Sequence, residues 1–227
     1  DPTAVAAWDR IFSALEKYGH GLMTLTSPDI TKDYKDAAVQ LAQDIQSTGE
    51  KLKEDKLIST SPAVPATLAT AFTKLGDVLL RAKANADARL IMTEADPFVR
   101  QIFVTMGDVV GPSPQGGLRG TVFAHWEQEK AKRQAEFLNT QNPAERRSLA
   151  VEFARLMNQQ QTQDLALASL RRSFLALADA HYALAQGHDV TAATAVSIVI
   201  DEIKDTKALY ERFKSLSKKS IKRKKMK

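Results

Sequence analysis

A stretch of 43 residues without glycine or proline constrains this chain more than any other feature of its sequence. It follows Pro143, ends at Gln186 and is closed by Gly187. Asn142 can cap the first helical turn, Pro143 needs no N–H partner there, and Glu145 occupies the third helical position. With a start signal, a stop signal and no breaker between them, the stretch predicts one helix of about 40 residues, roughly 65 Å long.

The prolines divide the rest of the chain in the same way, since six of the eight follow Asp, Ser or Asn. Pro97 is predicted to kink one long helix rather than to end it. No segment alternates polar and apolar residues with a period of two, so no sheet is expected. The predicted helices are 2–25, 28–57, 62–95, 97–110, 118–139, 143–186 and 190–217.

Apolar residues follow these helices at alternating steps of three and four, as Leu149, Phe153 and Leu156 do. This spacing favours helices that lie almost side by side, at crossing angles near 20°. A compact chain of this length has a radius of gyration of about 17 Å, which a straight 65 Å helix would overshoot. The sequence therefore predicts an all-α fold, an elongated antiparallel helical bundle. We expect one domain over 1–217, with the loop 110–120 as its internal boundary.

The positive charge of the chain is concentrated at its end. The formal charge is +5, but seven of the 32 Lys and Arg residues lie in the last ten positions. They are Lys218, Lys219, Lys222, Arg223, Lys224, Lys225 and Lys227. Their mutual repulsion predicts a disordered basic tail over 218–227, able to contact anionic lipid head groups at about 1 kcal/mol per residue. Nucleic-acid phosphates are an alternative, although the tail offers no aromatic side chain for base stacking.

No sequence pattern of an enzyme, cofactor or metal site is present. The chain has no Cys, no P-loop, no G-x-S-x-G elbow, and no Glu three residues before any of its four His. His181 lies on an apolar stripe, where we expect a core residue with satisfied hydrogen bonds. We therefore predict a non-enzymatic protein without cofactor or metal.

Two groups of residues are candidate partner contacts. The segment 157–164, MNQQQTQD, places Gln160 and Gln163 where the apolar stripe would otherwise continue. We favour a protruding, solvated helix here over a polar self-association surface. Trp126, next to Lys130 and Arg133 on a mostly polar helix, is a partner contact or a half-buried packing residue.

These observations favour a non-enzymatic helical scaffold that binds protein partners, or a second copy of itself, at a cell envelope or membrane surface. A BAR-like membrane-shaping dimer is the first alternative, an analogy of architecture alone. A nucleic-acid-associated protein using the tail is the second. The start at Asp1-Pro2 is what a processed envelope protein or a trimmed cytoplasmic one would show. We favour an envelope, periplasmic or membrane-peripheral location over a cytoplasmic one.

Overall fold

The computed structural model describes residues 2–25, 34–54, 63–81, 88–187 and 190–224, and this part of the chain is helical apart from short connections. The predicted all-α class is confirmed. The helices are α1 (Pro2–Leu25), α2 (Tyr34–Glu54), α3 (Ala63–Arg81), α4 (Ala88–Val110), α5 (Gly117–Asn139), α6 (Pro143–Gln186) and α7 (Ala192–Lys224).

The long helix α6 has 44 residues and both of its predicted end signals. Asn142 Oδ1 accepts a hydrogen bond from the backbone N–H of Ala144 at 3.0 Å. At the other end, the N–H of Gly187 donates to the carbonyl of Ala183 at 2.7 Å. Each signal satisfies a backbone group that a helix terminus leaves without an intrahelical partner.

Pro97 lies inside α4, so the helix passes through it as predicted. The ring nitrogen cannot donate to the carbonyl of Thr93, four residues earlier. Buried apolar side chains on both sides of the proline, among them Met92 and Phe103, offset that loss. Of the predicted helix 62–95, residues 63–81 form α3 and residues 88–95 belong to α4, whereas residues 82–87 lie outside the described part of the chain.

The chain forms two compact units. Unit 1 comprises residues 1–109 and 172–208, and unit 2 comprises residues 110–171 and 209–227. One division falls at the start of the loop 110–120, where the sequence predicts an internal boundary. The other two lie within α6 and α7.

Unit 1 contains an apolar core with an aromatic cluster. The ring of Phe174 in α6 lies 6.0 Å from that of Trp8 and 5.7 Å from that of Phe12, both in α1. Helices α2 and α3 pack closely at Gly49, where an added Cβ would meet the carbonyl oxygen of Ala69 at 2.8 Å. Only glycine allows the two backbones to approach this closely without a shift.

Helix α3 has the length and the apolar composition of a membrane-spanning helix. Within the described residues it is the one helix long and apolar enough to cross a membrane, and 44% of its most apolar 18-residue stretch is buried inside the fold. Its buried positions include Leu68, Phe72 and Leu79. A core helix of a bundle meets the same criterion of length and composition.

Unit 2 is built on the hairpin of α5 and α6, entered through a tight connection. Gly111 has φ 106°, and a Cβ there would lie 1.9 Å from the carbonyl oxygen of Gly116, so this turn requires glycine. The loop is shorter than the predicted 110–120, because α5 already begins at Gly117.

Helix α7 runs to Lys224, seven residues past the predicted end at 217. Residues 218–224 of the predicted disordered tail therefore have a helical backbone, whereas Lys225 and Lys227 lie outside the described residues. The prediction weighed only the repulsion between like charges. Cations in the last turns of a helix also interact favourably with its macrodipole.

Candidate functional site

Three buried polar side chains from α1, α4 and α6 meet in the core of unit 1. Tyr18 Oη and His181 Nε2 are 2.9 Å apart, and His181 Nδ1 lies 2.9 Å from Asp96 Oδ1. Tyr18 and His181 are 0% exposed and Asp96 is 5% exposed. The network therefore joins three helices through two hydrogen bonds.

The direction of these hydrogen bonds follows from protonation. Burial, and then the charge of Asp96, raises the pKa of Tyr18, so the phenol stays protonated. Its O–H group can therefore donate a hydrogen bond to His181 Nε2. In the tautomer that accepts at Nε2, the ring N–H lies on Nδ1 and donates to Asp96 Oδ1. The order of groups is that of an acid–base relay, but a catalytic hydroxyl must reach its substrate, and this one is inaccessible. We infer a structural role, which agrees with the predicted satisfied core histidine.

The candidate partner contact at Trp126 lies inside the α5–α6 hairpin. Trp126 Nε1 donates a hydrogen bond to Gln163 Oε1 at 2.9 Å, and the two residues are 2% and 6% exposed. Both therefore contact their own chain instead of presenting a surface to a partner. The prediction of a fully solvated helix is wrong at Gln163, because the indole N–H supplies the donor that a buried amide requires.

The remaining candidate contacts form a polar cluster beside this pair. Glu127 accepts hydrogen bonds from Lys130 at 2.5 Å and from Gln160 at 3.1 Å. The hydrogen bond from Lys130, followed by that from Gln160, lowers the pKa of Glu127. Arg133 pairs with Glu136 at 2.5 Å and with Glu152 at 3.5 Å. All five predicted contacts thus lie on one hairpin, with intramolecular partners.

The sequence does not predict the ion pair between Arg119 and Asp164 in this hairpin. Arg119 donates from Nε and Nη2 to the two carboxylate oxygens of Asp164 at 2.8 and 2.9 Å. The Arg119 side chain is 10% exposed. A bidentate pair of this kind holds α5 and α6 in register at the base of the hairpin. The partners are 45 residues apart, and no local pattern connects them.

Beyond these contacts the hairpin is thinly covered. No side chain between Glu127 and Thr162 is buried. The apolar residues Leu149, Phe153 and Leu156 are of intermediate burial, neither fully buried nor exposed. Leu138, Val151 and Met157 are 66%, 49% and 51% exposed. This part of unit 2 therefore carries apolar surface that its own unit does not enclose.

Charge is divided unequally between the units. Unit 2 has 17 Lys and Arg against 7 Asp and Glu, a formal charge of +10. Unit 1 has 15 Lys and Arg against 20 Asp and Glu, a formal charge of −5. Without residues 218–227, unit 2 retains 10 basic against 7 acidic residues. The basic character therefore includes the hairpin as well as the end of α7.

No group of three or more His, Cys, Asp or Glu side chains that could hold a metal ion occurs among the described residues. Comparisons with family models, with curated proteins and with solved structures find no match to this chain.

Proposed function

We propose that this chain is a non-enzymatic helical scaffold that acts by binding at a cell-envelope or membrane surface. The single observation that carries the proposal is the division of charge, −5 in unit 1 and +10 in unit 2. A unit with this excess of cations is attracted to an anionic surface, and the acidic unit is repelled by it.

The two units have different parts in this proposal. Unit 1 has a packed core whose polar network is satisfied internally, and it serves as the rigid body. Unit 2 provides attachment through the basic end of α7, with Lys218, Lys219 and Lys222 in its last turns. Met157, an exposed apolar side chain of the hairpin, provides contact with a partner.

Vesicle co-sedimentation tests the attachment. The full chain is mixed with phosphatidylcholine vesicles, or with vesicles that also contain phosphatidylglycerol, at low and at high salt. We expect binding to the anionic vesicles only, weakened by salt because the Debye length falls. Removal of 218–227 should weaken it most. Absence of binding at low salt, or equal binding to both vesicle types, would contradict the proposal.

A membrane-shaping dimer is a second candidate, favoured by the hairpin itself. A segment of two helices without one buried side chain, 127–162, has the character of half of a four-helix interface. Sedimentation equilibrium decides this point, because a dimer that dissociates on substitution of Leu138 and Val151 would support it. A monomer at all concentrations would exclude this candidate and leave the scaffold proposal unaffected.

A further inference from the structure

A stripe of cations and an aliphatic side chain follows the exposed face of α6 in the hairpin. Arg147, Val151 and Arg155 are spaced four residues apart, so they lie one above the other on one face of the helix. All three are exposed, Val151 to 49%. Neither arginine forms an ion pair within the described part of the chain. Both guanidinium groups are therefore available to an external anion.

The tip of the hairpin extends this pattern. Leu138, near the end of α5, is 66% exposed, the largest value among the exposed large apolar side chains described. The guanidinium of Arg146 lies over the ring of Phe137 at 4.6 Å, which holds a third cation beside the tip. Leu138 and Arg146 thus lie at the tip of the hairpin, where the face with Arg147, Val151 and Arg155 begins.

We propose that Arg147, Val151 and Arg155 of α6, together with Arg146 and with Leu138 at the end of α5, form a second lipid contact, separate from the tail, which we name the α6 stripe. The guanidinium groups bind the phosphates of anionic lipids, and the two aliphatic side chains enter the boundary between head groups and acyl chains. The inference rests on the proposed function, and it names a part of the attachment that the tail does not supply.

The composition of the stripe favours a bilayer over other anionic partners. Phosphates of a nucleic acid are contacted by charged and polar groups, so an exposed aliphatic side chain such as Leu138 or Val151 adds nothing to a phosphate contact. A bilayer rewards both groups, because it places apolar chains directly beneath its charged head groups. A bilayer also needs no shape complementarity. It can therefore bind a hairpin in which polar side chains such as Gln160 and Arg133 are paired within the chain and only part of the cations is available.

The test uses the full chain and the same anionic vesicles. Arg147→Glu combined with Arg155→Glu should lower vesicle affinity at least about tenfold, because two favourable head-group contacts become repulsive. Val151→Gln, which introduces a better helix former than Val, should lower it about threefold. The matched control is Lys74→Glu combined with Lys204→Glu, an equal change of charge on exposed residues of unit 1. It should leave affinity within about twofold of the unaltered chain.

The deletion of 218–227 separates the stripe from the tail. The truncated chain should retain weak binding, and Arg147→Glu with Arg155→Glu should abolish that remainder.

If the unaltered chain binds anionic vesicles but the stripe variants bind equally well, this inference is overturned and the proposed function stands. If the unaltered chain does not bind, both fail. A loss of duplex-DNA binding with unchanged vesicle binding would also overturn the inference, in favour of a nucleic-acid contact. Circular dichroism confirms that each variant keeps its helical content.

Discussion

The imidazole of His181 lies between three helices with both nitrogen atoms in hydrogen bonds. An unpaired buried donor or acceptor costs about 1–3 kcal/mol, so the three side chains stabilise the fold only as a set. The position of His181 on an apolar stripe predicts its burial, but its partners lie 163 and 85 residues away. Periodicity does not identify such partners, because it reports the face of a helix and not the neighbour that covers it.

Substitution Tyr18→Phe should lower the free energy of unfolding by about 1–3 kcal/mol near neutral pH. The ring remains, but Nε2 of His181 loses its donor in the core. Urea denaturation measures the effect. Tyr182→Phe is the matched control, because Tyr182 is 48% exposed and water can replace its hydroxyl contacts. A change below about 0.5 kcal/mol for Tyr18→Phe would show that the hydrogen bond does not stabilise the fold.

The same residue predicts alkaline sensitivity. Burial raises the pKa of Tyr18 above its ordinary value, so in rising pH the unfolded chain releases this proton first, near pH 10. The folded state then binds more protons than the unfolded state, and stability falls above that pH. The slope is up to about 1.4 kcal/mol per pH unit for one group. Urea midpoints measured below and above pH 10 should fall less in the Tyr18→Phe variant than in the unaltered chain. Equal slopes in the two proteins would contradict this assignment.

Among the helices, α6 shows what sequence patterns predict well and what they do not. Its two ends follow from Asn142 and Gly187, because a cap and a stop act within a few residues. The pairing of its face with α5 does not follow, since the register depends on Trp126 meeting Gln163 across the hairpin. The predicted end of α7 at 217 differs from the observed end at Lys224 for a related reason. Charge repulsion disfavours a helix there and the helix dipole favours cations in its last turns, so the two effects act in opposite directions.

The buried amide gives a test at this scale. Gln163→Leu should lower the free energy of unfolding by about 1–3 kcal/mol, because the indole N–H of Trp126 then lies buried without an acceptor. The double variant Trp126→Phe and Gln163→Leu should lose less stability than the sum of the two single variants, since neither polar group remains to be left unpaired. Thermal or urea denaturation of the single and double variants measures the coupling. A purely additive cycle would show that the contact carries no energy.

Across the whole molecule the two units differ in how much side-chain surface they enclose. In unit 1, α4 alone contributes a continuous buried stripe from Ile91 to Val109. In unit 2, the stretch 127–162 contributes no buried side chain. Binary patterning could not distinguish these cases, because Leu149, Phe153 and Leu156 have the spacing of core residues although none of them is fully buried.

Hydrogen exchange should report this difference. Backbone amides in 127–162 are expected to exchange faster than those in 91–109, because local opening of the hairpin exposes little additional apolar surface. Mass spectrometry of peptides after timed labelling measures it. Addition of anionic vesicles should slow exchange in 143–157, around the α6 stripe, and leave 91–109 unchanged. Equal protection of the two segments in the free protein would contradict the expected difference in stability.

The hydrogen-bond network of Tyr18, His181 and Asp96 also restricts which substitutions this chain can accept during evolution. Loss of His181 alone removes the partner of both Tyr18 and Asp96, and loss of Tyr18 or Asp96 leaves one buried nitrogen of His181 without its partner, so each single substitution is penalised. Descendants should therefore either retain the trio or exchange it wholesale for hydrocarbon side chains of similar volume.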